Sequence, residues 1–336
     1  MNVLSLFDGM SCGRIALERL GIPVDNYYAS EIDKYAIQVS QANYPDIIQV
    51  GDVTELDTST LPKIDLIMGG SPCQGFSFAG KQLAFDDPRS ALFFEFVRCV
   101  KELQPKYFLL ENVRMKKEYL DVISEYMDVE PIMINSALVS AQNRVRYYWT
   151  NIPGIEQPEQ RGIVLRDILE TQTDEKPVKD TERNQRHYRN DNEKSLCMTA
   201  TMYKGAGNNG MTLVQEPKVV AGAWRGRYYK DGVRQDQFGS VAGKTKQMLE
   251  LRKDEKTNTV TTVQKDNVLT KDNVYWRKLT PVECERLQTV PDNYTNHVSN
   301  TQRYKMLGNG WTIEVITHIL KNMELPNDQT CDKSGS

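Results

Sequence analysis

Over the first 150 residues, short apolar runs alternate with segments of helical period, and this alternation restricts the chain to few architectures. Residues 3–7, 27–30, 47–50, 64–68 and 107–110 read as strands, and 11–20, 34–43 and 90–103 as helices. The strongest helix carries Leu92, Phe93, Phe96, Val97 and Val100 on one stripe, with Ser90 as its N-cap. Such alternation builds a mostly parallel sheet with helices on both faces. Two runs end alike: one gives way to two glycines and presents Cys73 directly after Pro72, the other leads into Glu111-Asn112-Val113. A thiol and a carboxyl can therefore meet at one edge of the sheet.

The texture changes near Pro153-Gly154. From 156 to 273 the chain is polar, rich in scattered glycines and poor in long apolar stripes. Two Thr-rich, β-prone pieces, 194–201 and 256–263, mark it as a separate, irregular β-rich domain. The expected layout is a catalytic domain over 1–155, this insert over 156–273, a return to the catalytic domain over 274–325 that includes a helix at 313–323, and a tail over 326–336. The insert holds 21 Lys and Arg against 18 Asp and Glu, the remainder 21 against 27. A basic insert beside an acidic body lets a polyanion bind on one side only, although such an imbalance is often just a solvated surface.

No apolar run approaches the roughly 20 residues of a bilayer span, and the first residues lack a secretory signal. The six cysteines (12, 73, 99, 197, 284 and 331) form no Cys-x-x-Cys pair, which suggests neither a zinc site nor a disulfide framework. A reducing, cytoplasmic setting is expected. Cys99 reads as a core residue inside a helix face.

Leu6-Phe7-Asp8-Gly9-Met10-Ser11-Cys12-Gly13 is a strand running into a glycine-containing turn and a helix, where backbone amides can approach a ligand. The full Gly-x-Gly-x-x-Gly fingerprint is absent. Glu31 ends the second strand, where an acidic residue can take ribose hydroxyls, and Asp52 ends the third, within reach of an adenine amine. An ordinary βα turn explains each turn alone but not the series, which suggests an adenosine-containing cofactor. Cys73 needs its thiolate to act as a nucleophile, and Glu111 needs a proton to act as an acid. Arg144 and Arg146 in Gln142-Asn143-Arg144-Val145-Arg146 point to one face of a strand and can hold phosphates or a ring carbonyl, or else form a solvated face.

Together these residues resemble a cytosine-5 DNA methyltransferase over about 2–154 and 276–323. The resemblance is carried in order by Phe7-Asp8-Gly9, Gly70-Ser71-Pro72-Cys73-Gln74, Glu111-Asn112-Val113, Gln142-x-Arg144-x-Arg146, Arg277-Lys278-Leu279-Thr280 with Glu283-x-x-Arg286-Leu287-Gln288, and Gly308-Asn309. Stretches around Phe93, Tyr147 and Trp311 are similar to animal de novo methyltransferase catalytic domains and to bacterial and phage relatives. The resemblance implies a Rossmann-like S-adenosylmethionine-dependent fold, α/β with helices on both faces, plus a smaller target-recognition domain. It implies Cys73, Glu111, Asn112, Gln142, Arg144 and Arg146 as the catalytic group. Cys73 attacks a flipped-out cytosine, Glu111 holds its ring, Arg146 holds the ring carbonyl and Glu111, and Arg144 and Asn112 position the Cys73 loop. It implies cofactor binding by Phe7, Asp8, Gly9, Met10, Cys12, Glu31, Ile32, Asp52, Val53, Gly70, Pro72, Asn309, Gly310 and Trp311, with S-adenosyl-L-homocysteine as product and no metal. Residues 76–88 would close over the DNA. The implied partners are double-stranded DNA and a cognate restriction endonuclease, with the chain a monomer and no membrane attachment.

Two departures stand out. Ser11-Cys12 replaces the Gly-Gly of many relatives, which leaves Cys12 to line the pocket. Gly310-Trp311 replaces the common Ser/Ala-Val. Alternatives are a tRNA methyltransferase of the same fold, an inactive binding module, against which Cys73, Glu111 and Arg146 argue, and a nicotinamide dehydrogenase, against which the missing fingerprint argues.

Overall fold

A computed structural model describes residues 1–71, 91–171, 173, 175–176, 178–204, 211–230, 233–235, 246–251 and 268–324, with backbone alone over 216–276. Cys73 and Pro72, the 76–88 segment, Ser90, the 256–263 piece and the tail lie outside the described residues.

The first 150 residues carry β1 (Asn2–Leu6), α1 (Cys12–Arg19), β2 (Asn26–Ser30), α2 (Lys34–Asn43), β3 (Ile48–Gln49), β4 (Leu66–Gly69), α3 (Ala91–Leu103), β5 (Tyr107–Val113), α4 (Lys117–Met127), β6 (Ile132–Asn135) and β7 (Val145–Thr150). These strands form one seven-stranded sheet in the order β3-β2-β1-β4-β5-β7-β6. The first five are parallel, while β7 runs antiparallel between β5 and β6. The order reverses between β1 and β4, and in open α/β sheets that switch point opens a crevice at the carboxyl ends of the strands.

Strand side chains alternate between two cores, as the period of two requires. Val3, Leu66, Met68 and Leu109 pack on one face with α1 and α2. Leu4, Leu6, Ile67, Phe108 and Leu110 pack on the other with Phe93 and Phe96 of α3 and Ile123 of α4. Cys99 is buried on α3, as its place in the apolar stripe predicts.

The sequence pattern ends the fifth strand at Leu110, but β5 continues through Val113. Antiparallel β7 supplies the partner: Glu111 sits opposite Tyr148 and Val113 opposite Arg146. Glu111 and Asn112 therefore project from a hydrogen-bonded strand and not from a loop.

Beyond a short α5 (Glu182–Gln185), a second sheet is built from β8 (Leu213–Lys230), β9 (Val233–Gln235), β10 (Lys246–Leu251) and β11 (Val268–Lys278). The chain then returns through α6 (Pro281–Leu287), α7 (Asn300–Asn309) and α8 (Ile313–Leu320). Leu165, Ile168, Met198, Met202, Met211 and Leu213 are buried in the core that also holds Val3, Leu109 and α8. The 194–201 piece forms no strand; Ser195 makes a single bridge to Gln142. Among the described residues no helix is long and apolar enough to cross a membrane.

Candidate active site

A cavity of about 760 Å³ opens at the carboxyl ends of β1, β2, β4 and β5, within the size range of small-molecule sites. Every site residue expected from the sequence and described here lines it except Gln142.

One end of the cavity is formed by the turn after β1. Phe7, Gly9 and Ser11 all adopt left-handed backbone conformations, with φ of 55°, 61° and 63°. For Phe7 and Ser11 this is a conformation that L side chains adopt at a cost, of the kind that clusters at functional sites. Gly9 N donates to Glu31 Oε2 at 2.7 Å, and Ile32 N and Asp33 N donate to Oε1 at 2.8 Å each. The end of β2 thus holds the turn in shape from the side. Asp8 is buried beneath it and accepts from Ser11 Oγ at 2.5 Å and Tyr27 OH at 2.8 Å. Burial pushes the Asp8 carboxyl up to about 6, against the pull of hydrogen bonds from Ser11, Ser5 and Tyr27. Burial likewise pushes the Cys12 thiol up to about 12, so Cys12 is a neutral wall residue and not a nucleophile. Asp52 Oδ1 caps the 3-10 turn Val53–Glu55 through Thr54 N at 2.9 Å.

An aromatic ring on a strained turn, with carboxylates at the next two strand ends, fits the adenosine half of S-adenosylmethionine. Phe7 would lie against the base, Glu31 would face the ribose hydroxyls and Asp52 the adenine amine.

At the other end, Glu111 pairs with Arg146, Oε1 to Nε at 2.8 Å, with both side chains little exposed. Trp311 Nε1 donates to Glu111 Oε2 at 3.2 Å. A Cβ on Gly70 would lie 2.9 Å from that same oxygen and 3.1 Å from the indole nitrogen, so the residue just after β4 must be glycine for the carboxylate and indole to meet as they do. Asn112 Nδ2 reaches Ser71 Oγ at 3.4 Å, two residues before Cys73.

Arg144 is buried and lines the cavity, while the Cys73 loop it is expected to position lies outside the described residues. The Arg144 guanidinium donates to Met198 O at 3.0 Å, Gly308 O at 3.2 Å and Gly310 O at 2.8 Å. Among the described residues it clamps the insert against the end of α7. Gln142 is fully buried behind the cavity and accepts from Met198 N at 3.3 Å. The sequence reading missed Cys197, Met198, Thr199 and Ala200, which line the cavity. Their nearest signal is Gly308, where a Cβ would lie 2.3 Å from Thr199 and 2.5 Å from Ala200 backbone. Among the described residues no group of three or more His, Cys, Asp or Glu side chains is placed to hold a metal ion.

The sheet order, with its antiparallel β7 beside β5, defines a Rossmann-like methyltransferase fold. The model of the C-5 cytosine-specific DNA methylase family matches residues 1–325. The chain belongs to that family. It is 31% identical over 347 residues to the type II methyltransferase M1.ScrFI of Lactococcus lactis subsp. cremoris, covering 96% of this chain and 77% of that protein. It is 29% identical to the type II methyltransferase M.NlaX of Neisseria lactamica, covering 99% of each. Among solved structures, the Entamoeba histolytica methyltransferase EhMeth matches with a TM-score of 0.68 at 17% identity, over 96% of this chain and 97% of that one.

Proposed function

We propose that the chain methylates carbon 5 of cytosine in double-stranded DNA, with Cys73 as a transient covalent activator. S-adenosylmethionine, when bound, supplies an electrophilic methyl group. Carbon 5 of cytosine is too poor a nucleophile to react unaided, so a covalent step precedes it. The target base leaves the stack at a cost of about a few kcal/mol. The Cys73 thiolate attacks carbon 6, Glu111 holds ring nitrogen 3 and the exocyclic amine, and Arg146 holds the ring carbonyl. Electron density then gathers on carbon 5, and later loss of the carbon-5 proton expels Cys73. Phe7, Glu31 and Asp52 hold the adenosine end, with Asp8, Gly9, Met10, Cys12, Ile32, Val53 and Gly70 around them and Pro72, Asn309, Gly310 and Trp311 along the remaining wall. Arg144 and Asn112 position the Cys73 segment. No metal is needed for this chemistry. The 156–273 insert reads the target sequence at base edges in the major groove, the enzyme acts as a cytoplasmic monomer, and a cognate endonuclease shares its target.

The observation that carries this reading is the Arg146–Glu111 pair in a cavity that also reaches Phe7, Glu31 and Asp52. Bisulfite sequencing of DNA from cells expressing the wild type is expected to reveal methylated cytosines in one sequence context, and Cys73→Ala to abolish them. DNA with 5-fluorocytosine at that site should trap a covalent complex, since fluorine cannot leave as a proton does. Activity on tRNA alone, or appreciable turnover by Cys73→Ala, would sink the proposal.

A further inference from the structure

Trp311 stands at the middle of a three-residue connector between α7 and α8, and both its neighbours are held. The Gly310 carbonyl accepts from Arg144 Nη2 at 2.8 Å and Gln288 Nε2 at 3.0 Å. Thr312 Oγ1 donates to Gln288 Oε1 at 2.8 Å and lies 2.9 Å from Ser136 Oγ. The indole enters the cavity from this braced segment, and its ring forms part of the wall.

Glu111 meets two anchors from unrelated parts of the chain. Arg146 on β7 forms an ion pair at Oε1, and Trp311 donates a hydrogen bond to Oε2. The last torsion of a glutamate side chain is broad and roughly two-fold, so a carboxylate held at one oxygen can still turn its plane. A directional hydrogen bond at the second oxygen opposes that turn. Each oxygen keeps a further lone pair for a ligand. Gly70 supplies the space in which indole and carboxylate meet. A valine at this position would have no donor to offer.

We propose that Trp311 is a positioning residue for Glu111: its indole N–H fixes the plane in which the carboxylate meets the target ring, separately from the packing of the ring on the cofactor wall. This rests on the methyltransferase reading above.

Trp311→Phe removes the N–H and keeps most of the ring, whereas Trp311→Val removes both. With unmethylated genomic DNA as substrate, Trp311→Phe is expected to lower kcat about tenfold, the scale of one hydrogen bond to an ionised acceptor. Its KM for S-adenosylmethionine, and its affinity for S-adenosyl-L-homocysteine by calorimetry, should stay within about twofold of wild type. Trp311→Val should weaken both. Wild-type kcat in Trp311→Phe, or a kcat loss matched by equally weakened S-adenosyl-L-homocysteine binding, overturns the proposal. Should Trp311→Phe not fold, 5-fluorotryptophan placed at position 311 alone gives a second test. Its fluorine resonance should move on Glu111→Gln, and an unmoved resonance overturns the contact. A wild type that neither binds S-adenosyl-L-homocysteine nor transfers methyl groups defeats the underlying reading instead.

Discussion

Asp8 is the residue whose environment departs furthest from what the sequence pattern suggests. Its neighbours Phe7 and Gly9 point to a ligand turn, yet its own carboxyl lies buried under that turn against Ser11 and Tyr27. With its pKa raised from 3.8 to about 6, the folded protein keeps a proton that the unfolded chain has already released between those values. Stability from this group is therefore present at low pH and lost as pH rises through about 4 to 6. Above that the buried charge is a standing cost of about 3 kcal/mol. Asp8→Asn should gain on the wild type as pH rises from about 4 to about 6 and keep that advantage above it, measured by urea denaturation. Parallel pH profiles for the two proteins would refute this. Cys12 shows the same limit of local reading. Its position beside the turn was legible, but only burial establishes that it remains a thiol.

Among the elements, α6 shows how a legible motif acquires its energetics from distant partners. Thr280, Pro281 and Glu283 spell a capped helix start, and the structure contains the capping box. Glu283 does more than cap. Fully buried, it accepts from both terminal nitrogens of Arg277, from Thr280 N and from Glu170 N, at 2.8 to 2.9 Å. Glu283→Gln would turn an amide NH2 toward groups that can only donate. The expected loss is about 3 kcal/mol, and a urea denaturation change below about 1 kcal/mol would contradict it. Glu170 lies 113 residues away, and nothing in its surroundings marks it as a partner. Two elements between the fifth strand and the arginine pair escaped the pattern altogether. α4 starts without a side-chain cap and stops at Asp128 in a left-handed conformation, so neither of the usual boundary signals is present. β6 is four residues long, and its exposed Met133 breaks the alternation.

For the whole molecule, the polar texture from 156 onward conceals two kinds of structure. Leu165, Met198, Met202, Met211 and Leu213 are buried in the first core, while β8 and β11 run out as an antiparallel pair in which Gln215 faces Trp276. Replacing 217–274 with a short glycine-rich turn should leave a folded protein that binds S-adenosyl-L-homocysteine but has lost site-selective methylation. Removing all of 156–273 should leave no cooperative unfolding transition, since several large core side chains go with it. Calorimetry separates the two, and equal behaviour of both deletions would contradict the packing. The sequence by itself determined the order of the strands' companions and the identity of the strand-end residues: Phe7, Glu31, Asp52, Gly70 and Glu111. A parallel sheet built from strand–helix units brings the carboxyl ends of its strands to one edge, so local patterns suffice to gather those groups. Only the tertiary structure decided that Trp311 meets Glu111 across 200 residues of chain and that Arg144 reaches Gly310 across 166. Such contacts depend on how braced segments from separate elements pack together, and no local periodicity encodes that packing.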